Sequence, residues 1–416
     1  MTNARLFHRI VRGGQQLAIL GFATAAIALA DGSGTGSIPF SVGPAFANEV
    51  EASLVRAIVG LRDSGLNKAM GEIDKVLAHN PNFRLGYLIK GDLLMAQAGR
   101  PAAFGAAVGA PAAPANAEMA PLQDEARVRV KRYVSAPPVD YLPSSVMQLA
   151  PSQAHVLVVD TSRSRLFVYA NDHGRPRYVT DFYISLGKNG VEKQREGDQK
   201  TPIGVYTVVA SKDKLPDLYG AVAFPISYPN EWDRMNGRGG HGIWLHGTPS
   251  DTYSRAPWAT DGCVVLTNDD LARLAKYVDV SRTPVVIGQS VEWRDPISWD
   301  KQREGFMAAF QQWKADWESL DSARYFSHYS PSFRTEGGGD LAGFEAHKRK
   351  VNTGKTWVKV GIGDLSVFAY PGMKDMVMVT FEQDYRSSNL SNRTSKRQYW
   401  IREGNTWRIL HEAVIS

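Results

Sequence analysis

The sequence contains a single cysteine, Cys263, and a histidine–glycine pair, His246-Gly247, stands upstream of it. A thiolate is a strong nucleophile, and a neighbouring histidine is the base that usually activates it. The apolar stretch "GIWL" leads into His246 and "VVL" follows Cys263, which predicts two buried strands joined by a loop. Strands that lie side by side would bring both side chains to one end of a sheet. The pair is therefore a candidate for covalent catalysis.

The residues around this pair are suited to supporting roles. Gly262 allows the backbone to turn tightly, so the amides of Asp261, Gly262 and Cys263 are expected to point at one spot. Converging amides form an oxyanion hole, which stabilises the charge that develops on an attacked carbonyl. The carbonyl of Gly247 is placed to accept a hydrogen bond from His246 and to fix the tautomer of its ring.

Other interpretations of these residues stay open at this point. A cysteine beside valines is often a small core residue, and a histidine that ends an apolar strand is often structural. His241 is a competing base, but its odd offset from His246 places it on the opposite face of a continuous strand. A metal site is not predicted, because the chain has neither an HExxH motif nor a Cys/His ligand set.

The sequence patterns around the pair predict an α+β fold with several domains. The middle of the chain is rich in alternating Val, Leu and Phe runs, whereas the tail places helices before antiparallel strands. The aromatic stripe of the tail helix follows helical spacing and is predicted to be core: Phe306, Phe310, Trp313 and Trp317. The predicted parts are a signal peptide (1–47), a small helical module similar to a tetratricopeptide hairpin (48–100), an Ala/Pro linker with a short helix (101–150), a mostly β domain (151–292) and an α+β tail (299–416).

The first residues predict export. "MTNARLFHRIVRGG" is basic, "LAILGFATAAIALA" is apolar, and Ala45-Phe46-Ala47 is a small-x-small site before Asn48. This order is typical of a secretory signal peptide, and the apolar run is shorter than the roughly 20 residues that a membrane span needs. We expect a periplasmic or cell-envelope location, with an uncleaved anchor as the alternative.

The amino-acid composition limits the classes of protein to which this chain can belong. With 43% hydrophobic and 22% charged residues, the chain is expected to bury ordinary globular cores. Its formal net charge of +6 is mild for 416 residues, so nucleic acid is not an expected partner. A lone cysteine excludes an internal disulfide.

Several motifs together resemble the YkuD-type L,D-transpeptidase catalytic domain. The order His246-Gly247, a loop, and then Thr260-Asp261-Gly262-Cys263 is similar to that family's His-Gly and [Ser/Thr]-x-Gly-Cys motifs. "KTPIGVY", "SLGKNG" and "ISYPNEWD" are similar to its other segments, and the resemblance spans about residues 153–290. Around the catalytic candidates Cys263, His246 and Gly247, the candidate substrate or oxyanion residues are Gly262, Asp261, Thr260, Trp244 and Tyr228.

The resemblance implies a reaction that needs no cofactor. Cys263 would attack the bond between meso-diaminopimelate and D-alanine in a peptidoglycan stem peptide, with His246 as base and the Gly247 carbonyl orienting it. An amine would then resolve the thioester by transpeptidation, or water would resolve it as in an L,D-carboxypeptidase. Two departures affect the first outcome: Asp261 stands where many members have histidine, and Val265 where many have arginine.

The tail from about Lys301 resembles a nuclear-transport-factor-2-like (NTF2-like) domain, a cone-shaped fold with a pocket. Its combination with a YkuD-like domain is similar to the helical-cell-shape carboxypeptidase group. This resemblance implies an unidentified ligand in the tail, with Tyr385, Trp400 and His411 as pocket or core residues, and the helical module is a candidate for self-association. All catalytic motifs precede Gly288, which predicts that the tail is dispensable for bond cleavage. The competing hypothesis is a non-catalytic envelope scaffold.

Overall fold

The computed structural model describes residues 48–63, 65–100, 104, 115–138 and 140–415. The predicted signal peptide and its cleavage site lie outside these residues. The described chain has the predicted α+β architecture, with helices at its start, a β-rich middle and an α+β domain at its end.

The N-terminal module is built from four helices that share one apolar core. Its helices are α1 (Glu49–Asp63), α2 (Leu66–His79), α3 (Arg84–Gln97) and α4 (Ala115–Val134). On α2, Ala69, Ile73, Val76 and Leu77 are buried, because their spacing of three or four residues places them on one face. The predicted short helix after the linker is longer than expected, since α4 begins inside the Ala/Pro-rich stretch and contributes Ala126 and Val130 to the same core.

The middle of the chain forms three small sheets around one core. Its strands are β3 (His155–Asp160), β4 (Arg165–Asp172), β5 (Arg175–Tyr183), β6 (Leu186–Gly187), β7 (Gly204–Thr207), β8 (Lys212–Asp213), β9 (Val222–Pro225), β10 (Trp244–His246), β11 (Trp258–Thr260), β12 (Val264–Val265) and β13 (Pro284–Gly288), with helices α5 (Glu231–Met235) and α6 (Asn268–Leu274). The sheet orders are β5-β4-β3-β13-β7, β12-β10-β9-β8 and β11-β6. Leu157 and Leu166 of the first sheet share a buried core with Phe224 and Leu245 of the second. The core therefore lies between these two sheets.

The C-terminal domain wraps helices against one long sheet. Its elements are β14 (Trp293–Arg294), α7 (Pro296–Glu318), α8 (Ser322–Ser327), β15 (Tyr329–Thr335), α9 (Leu341–Asn352), β16 (Val358–Ala369), β17 (Met376–Ser387), β18 (Ser391–Glu403) and β19 (Thr406–Ile415). All four aromatic side chains of the predicted stripe on α7 are buried against this sheet, which confirms their core role.

The β-rich domain and the C-terminal domain share a buried core. Two short strands precede the β-rich domain, within the predicted linker region: β1 (Leu142–Pro143) and β2 (Val146–Gln148). β2 pairs with β16 and completes the C-terminal sheet, in the order β15-β19-β18-β17-β16-β2. Trp232 of α5 stacks on Tyr399 of β18, with ring centroids 5.9 Å apart, and the Asn230 amide donates to the Tyr370 hydroxyl at 2.9 Å. The two domains are therefore joined through packing as well as through the chain.

Candidate active site

The two candidate catalytic residues come from neighbouring parallel strands. β10 pairs with β12, with Leu245 opposite Val264 and His246 opposite Val265. Residues opposite each other in a parallel pair share a face, and side chains alternate along each strand. Cys263 directly precedes β12, next to Val264, which lies opposite Leu245. The two predicted strands are therefore neighbours, and the pairing of the two side chains stays a prediction.

His246 is buried and held as a neutral ring. Its Nδ1 lies 2.7 Å from the carbonyl oxygen of Gly247, so Nδ1 carries the proton that donates to this carbonyl and Nε2 is left as the acceptor. The Tyr219 ring meets the imidazole edge-on, with centroids 5.1 Å apart. The pKa of His246 is lowered to about 4, chiefly because the ring is buried and also because Arg255 is positively charged; the bond to Gly247 opposes this shift.

The Cys263 thiol is also neutral in the resting site. Its Sγ donates to the Gly242 carbonyl at 3.3 Å, and burial raises its pKa above the ordinary value, to which the nearby carboxylate of Asp261 adds. A thiol in this state must lose its proton to become nucleophilic. Transfer to His246 requires the thiol to leave the Gly242 carbonyl, which is its hydrogen-bond partner in this structure.

A hydrogen-bonded turn fixes the backbone in front of Cys263. The Thr260 hydroxyl donates to the Cys263 carbonyl at 2.7 Å and accepts from the Gly262 amide at 3.1 Å. Gly262 has a φ of 122°, and a Cβ there would lie 2.7 Å from the Lys200 carbonyl, so only glycine fits. The Thr201 hydroxyl donates to the Gly262 carbonyl at 3.0 Å. The strand entry "KTPIGVY" therefore buttresses this turn.

The structure of this turn shows that one part of the predicted oxyanion hole is wrong. The amide of Gly262 was expected to point at the reacting carbonyl together with its neighbours, but it donates to the Thr260 hydroxyl. A side-chain hydroxyl that captures the amide two residues on is a common turn arrangement. Thr260 is accordingly a buried organiser of the turn, and Gly262 serves it through its backbone conformation.

The other two predicted residues near the turn, Asp261 and Trp244, differ in how exposed they are. Asp261 is exposed, and its carboxylate pairs with the Lys188 ammonium at 3.0 Å on the rim of the site. Trp244 is half-buried beside Tyr219, with the Lys212 ammonium 4.9 Å from its ring centroid. The roles of Trp244 and Asp261 at a substrate stay predictions.

Tyr228 was expected at the substrate, but it belongs to the core. Its side chain is only 7% exposed and packs edge-on against Tyr206, and its hydroxyl donates to the Gly239 carbonyl at 2.9 Å. Aromatic residues commonly bury the ring and satisfy the hydroxyl in this way. Through Gly239, Tyr228 holds the loop that ends at Gly242, the partner of the thiol.

The argument about His241 rested on a strand that is shorter than expected. β10 begins at Trp244, so His241 lies in the preceding loop and the alternation of strand faces does not apply to it. Its imidazole is largely exposed and lies 3.4 Å from the carboxylate of Glu196. Over the described residues, no group of three or more His, Cys, Asp or Glu side chains is arranged to hold a metal ion.

Comparisons with known proteins place two domains on this chain. The L,D-transpeptidase catalytic domain model (YkuD) matches residues 154–287, and the Cds6 C-terminal NTF2-like domain model matches residues 305–413. The middle of the chain is a YkuD-type L,D-transpeptidase domain. YafK of Escherichia coli strain K12 is 33% identical to this chain over 132 residues, which are 32% of this chain and 49% of YafK. The chain thus spans about half the length of the curated relatives that it matches.

Solved structures resemble a larger part of the chain. Bd1075 of Bdellovibrio bacteriovorus has a TM-score of 0.59 and 27% identity, over 66% of this chain and 98% of that one. The helical cell shape determining protein Pgp2 of Campylobacter jejuni has a TM-score of 0.55 and 26% identity, over 64% of this chain and 95% of that one. These similarities support the resemblance to the helical-cell-shape group.

Several residues that support the candidate site had no sequence signal. The Asn268 side chain accepts from the Thr248 amide and donates to the Thr248 carbonyl, which fixes the backbone after His246-Gly247. Asn268 is the first residue of α6, and the cap of this helix is Thr267. Arg255 lies in the loop between the two strands and influences the pKa of both His246 and Cys263. Such contacts depend on how loops fold back, which spacing along the chain does not reveal.

The three tail residues, Tyr385, Trp400 and His411, are all buried in the domain. Tyr385 also lines a cavity of about 220 Å³ with Lys348, Lys355 and Lys396.

No helix among the described residues is both long and apolar enough to span a membrane.

Proposed function

We propose that this protein is a cysteine enzyme that cleaves the bond between meso-diaminopimelate and D-alanine in peptidoglycan stem peptides. His246 Nε2 takes the proton of the Cys263 thiol, and the sulfur bonds to the carbonyl carbon. The tetrahedral intermediate collapses to a thioester as the bond to the D-alanine nitrogen breaks, and the imidazolium returns its proton to that nitrogen. The observation that supports this proposal is that β10, which ends at His246, pairs with β12, which begins directly after Cys263.

The electrostatics of the site set the protonation states of the two groups before the reaction. A lowered pKa at His246 and a raised pKa at Cys263 keep both groups neutral before substrate binds. The charges then form only as the reaction begins. The Gly247 carbonyl, which accepts from Nδ1, stabilises the imidazolium and keeps Nε2 directed at the proton.

Water is the acceptor that we propose for the thioester, so that the product is a trimmed tripeptide. At position 265, Val265 is buried and its backbone pairs with Ser185, so this position supplies no cation to hold the carboxylate of a second stem peptide. The similarity to the cell-shape protein Pgp2 agrees with a trimming role. Transfer to an amine is the second candidate, because the catalytic domain is that of the L,D-transpeptidases.

Three further proposals concern the cellular location of the protein, its C-terminal domain and its helical module. An enzyme that acts on peptidoglycan must be exported, and the N-terminal sequence supports a periplasmic or envelope location. Three lysines around the C-terminal cavity suit an anionic ligand, which would set where or on what the enzyme acts. Self-association through the helical module remains a prediction that light scattering of the purified protein can test.

The test is incubation with purified tetrapeptide muropeptides, with and without added D-amino acids, followed by mass analysis of the products. We expect tripeptide and free D-alanine in both reactions. Products that contain the added D-amino acid would identify transfer instead. Cys263→Ala should abolish both outcomes, and His241→Ala is the matched control that should keep most turnover. Unchanged tetrapeptide with the folded wild-type protein would leave the scaffold hypothesis as the better account.

A further inference from the structure

The loop between β10 and β12 carries an arginine, Arg255, whose backbone is fixed and whose charge is open to a ligand. The residue is half-buried, and over the described part of the chain its guanidinium makes no hydrogen bond, ion pair or ring contact. Its nitrogens are not among the buried unpaired polar atoms of that part, so solvent reaches them. The Tyr183 hydroxyl donates to the Arg255 carbonyl at 2.8 Å, which holds the backbone. The guanidinium therefore keeps its N–H donors for a partner from outside.

Ser185 connects this loop to the strand beside Cys263. The Ser185 hydroxyl donates to the carbonyl of Ala256, the residue after Arg255, at 2.5 Å. The backbone amide and carbonyl of the same serine pair with the backbone of Val265 at 2.8 and 2.9 Å. Val265 belongs to β12, which begins directly after Cys263. The backbone at Arg255 is therefore fixed beside the strand that follows the proposed nucleophile.

The charge of Arg255 acts on both catalytic candidates. Burial lowers the pKa of His246 and raises the pKa of Cys263, and the positive charge of Arg255 pulls both values down. Lys193 also acts on Cys263, but its ammonium is already paired with the Asp198 carboxylate at 2.8 Å. Arg255 is therefore a cation near the thiol that remains available to an anionic group of a substrate.

The helical module fixes the two residues that precede Arg255. The Ser254 hydroxyl donates to the buried carboxyl group of Glu125 on α4 at 2.7 Å. The Tyr253 ring meets the Phe83 ring with centroids 4.5 Å apart. A group that is already held in place loses less conformational freedom when it binds. This attachment of the loop therefore favours binding through Arg255.

We propose that Arg255 binds the terminal carboxylate of the D-alanine that the enzyme releases. The proposal rests on the proposed function, in which the nitrogen of this D-alanine leaves the carbonyl that Cys263 attacks. The terminal carboxylate is attached to the carbon next to that nitrogen, so it lies close to the reacting atoms. The side-chain carboxylate of meso-diaminopimelate, in contrast, stands at the far end of a side chain. Arginine holds a carboxylate through parallel hydrogen bonds, which fix its orientation as well as its position. Arg255 thereby selects stem peptides that end at this D-alanine.

The proposal is tested by removing one charge from the substrate and one from the protein. The kcat/KM of the wild-type protein is measured for the tetrapeptide and for the same peptide with its terminal carboxylate replaced by a carboxamide, which has nearly the same size. We expect the carboxamide to be worse by about ten- to hundredfold, the value of a hydrogen bond to a charged group. Arg255→Gln should lower kcat/KM for the tetrapeptide by a similar factor and should process the two peptides alike. Arg255→Lys should retain part of the preference, because it keeps the charge and loses the fork of donors.

A third peptide separates the two carboxylates of the substrate. In this peptide the side-chain carboxylate of diaminopimelate is amidated and the terminal one is kept. The loss caused by Arg255→Gln should be as large on this peptide as on the unmodified one, and a loss that disappears would assign Arg255 to the other carboxylate and overturn the proposal. The control variant is Arg282→Gln, at an exposed arginine of the same domain that pairs with Asp279 at 4.0 Å, and it should alter no substrate.

Two results would overturn the proposal while the proposed function stands. One is a wild-type protein that processes the tetrapeptide and its carboxamide equally well. The other is an Arg255→Gln variant that slows both peptides by the same factor, as an arginine that acts only on the pKa of the catalytic pair would do. If the wild-type protein processes no peptide, the proposed function fails and binding decides. Calorimetry of Cys263→Ala should then show tetrapeptide binding that Arg255→Gln weakens about ten- to hundredfold, and absent or unchanged binding would overturn the proposal.

Discussion

Replacement of Thr260 by valine tests whether the turn before Cys263 is held by one hydroxyl. Valine keeps the branched shape of threonine and removes only the oxygen. The side chain is 3% exposed, so water cannot replace the two lost bonds, from the Gly262 amide and to the Cys263 carbonyl. The variant therefore leaves one donor and one acceptor unsatisfied inside the turn that presents the nucleophile.

The expected magnitude follows from these two bonds. A hydrogen bond contributes about 0.5–1.5 kcal/mol, and an orphaned buried group costs about 1–3 kcal/mol, so Thr260→Val should destabilise the domain by about 2 kcal/mol. In a domain of this size that corresponds to a fall in Tm of about 4–8 °C. A nucleophile displaced by a fraction of an ångström to 1 Å should lose about tenfold to hundredfold in kcat/KM.

Calorimetry and steady-state release of D-alanine measure the two effects on the same preparation. Thr260→Ser is the matched control, because it keeps the hydroxyl and loses only a methyl group; its activity should stay close to that of wild type. The reasoning is refuted if the valine variant matches the serine variant in both Tm and kcat/KM. Loss of Tm with full activity would show that the turn is structural and does not position Cys263.

Three further predictions concern the base, the buried ion network and the C-terminal domain. Because the pKa of His246 is lowered to about 4, the imidazole stays unprotonated above that pH. As the pH is lowered, kcat/KM should therefore fall with a midpoint near pH 4. A midpoint near the ordinary histidine value of about 6.5 would contradict the burial argument. Asp181→Asn should destabilise the protein by about 3–5 kcal/mol, because it leaves the buried Arg132 without a carboxylate partner and Arg165 with Glu51 alone. Asp124→Asn, at a half-exposed pair, should cost under about 1 kcal/mol in the same unfolding assay. A chain shortened at Ser298 should lose solubility and cooperative melting, because β2 would lose its partner strand; a folded, active product would show that the domains are independent.

The last of these predictions replaces the expectation that the tail is dispensable. The sequence places every catalytic motif before Gly288, and the structure agrees with that placement. However, β2 is a strand of three residues without a local signal, and it pairs with β16 more than 200 residues later. Short strands of this kind form because a partner edge is available, and pattern along the chain does not show where that edge is.

The parts that could be predicted are those governed by local chemistry. The cap of α6 by Thr267 and the hairpin at Glu403-Gly404-Asn405 follow from residue types at fixed offsets. The neighbouring strands beside His246 and Cys263 follow from two apolar runs and one loop. In contrast, the hydroxyl of Tyr228 finds its carbonyl only after the loop at Gly239 has folded back, so its position in the core had no local signal.

The measurement that tests the central claim most directly is the identification of the acylated residue. The wild-type protein is incubated with a carbapenem, an acylating analogue of the substrate, and the adduct is mapped by peptide mass spectrometry. The same preparation is assayed on tetrapeptide muropeptides beside Cys263→Ala. The account predicts one adduct, on the peptide that contains Cys263, slower formation in His246→Ala, and no processing by Cys263→Ala. Full muropeptide processing by Cys263→Ala would contradict it.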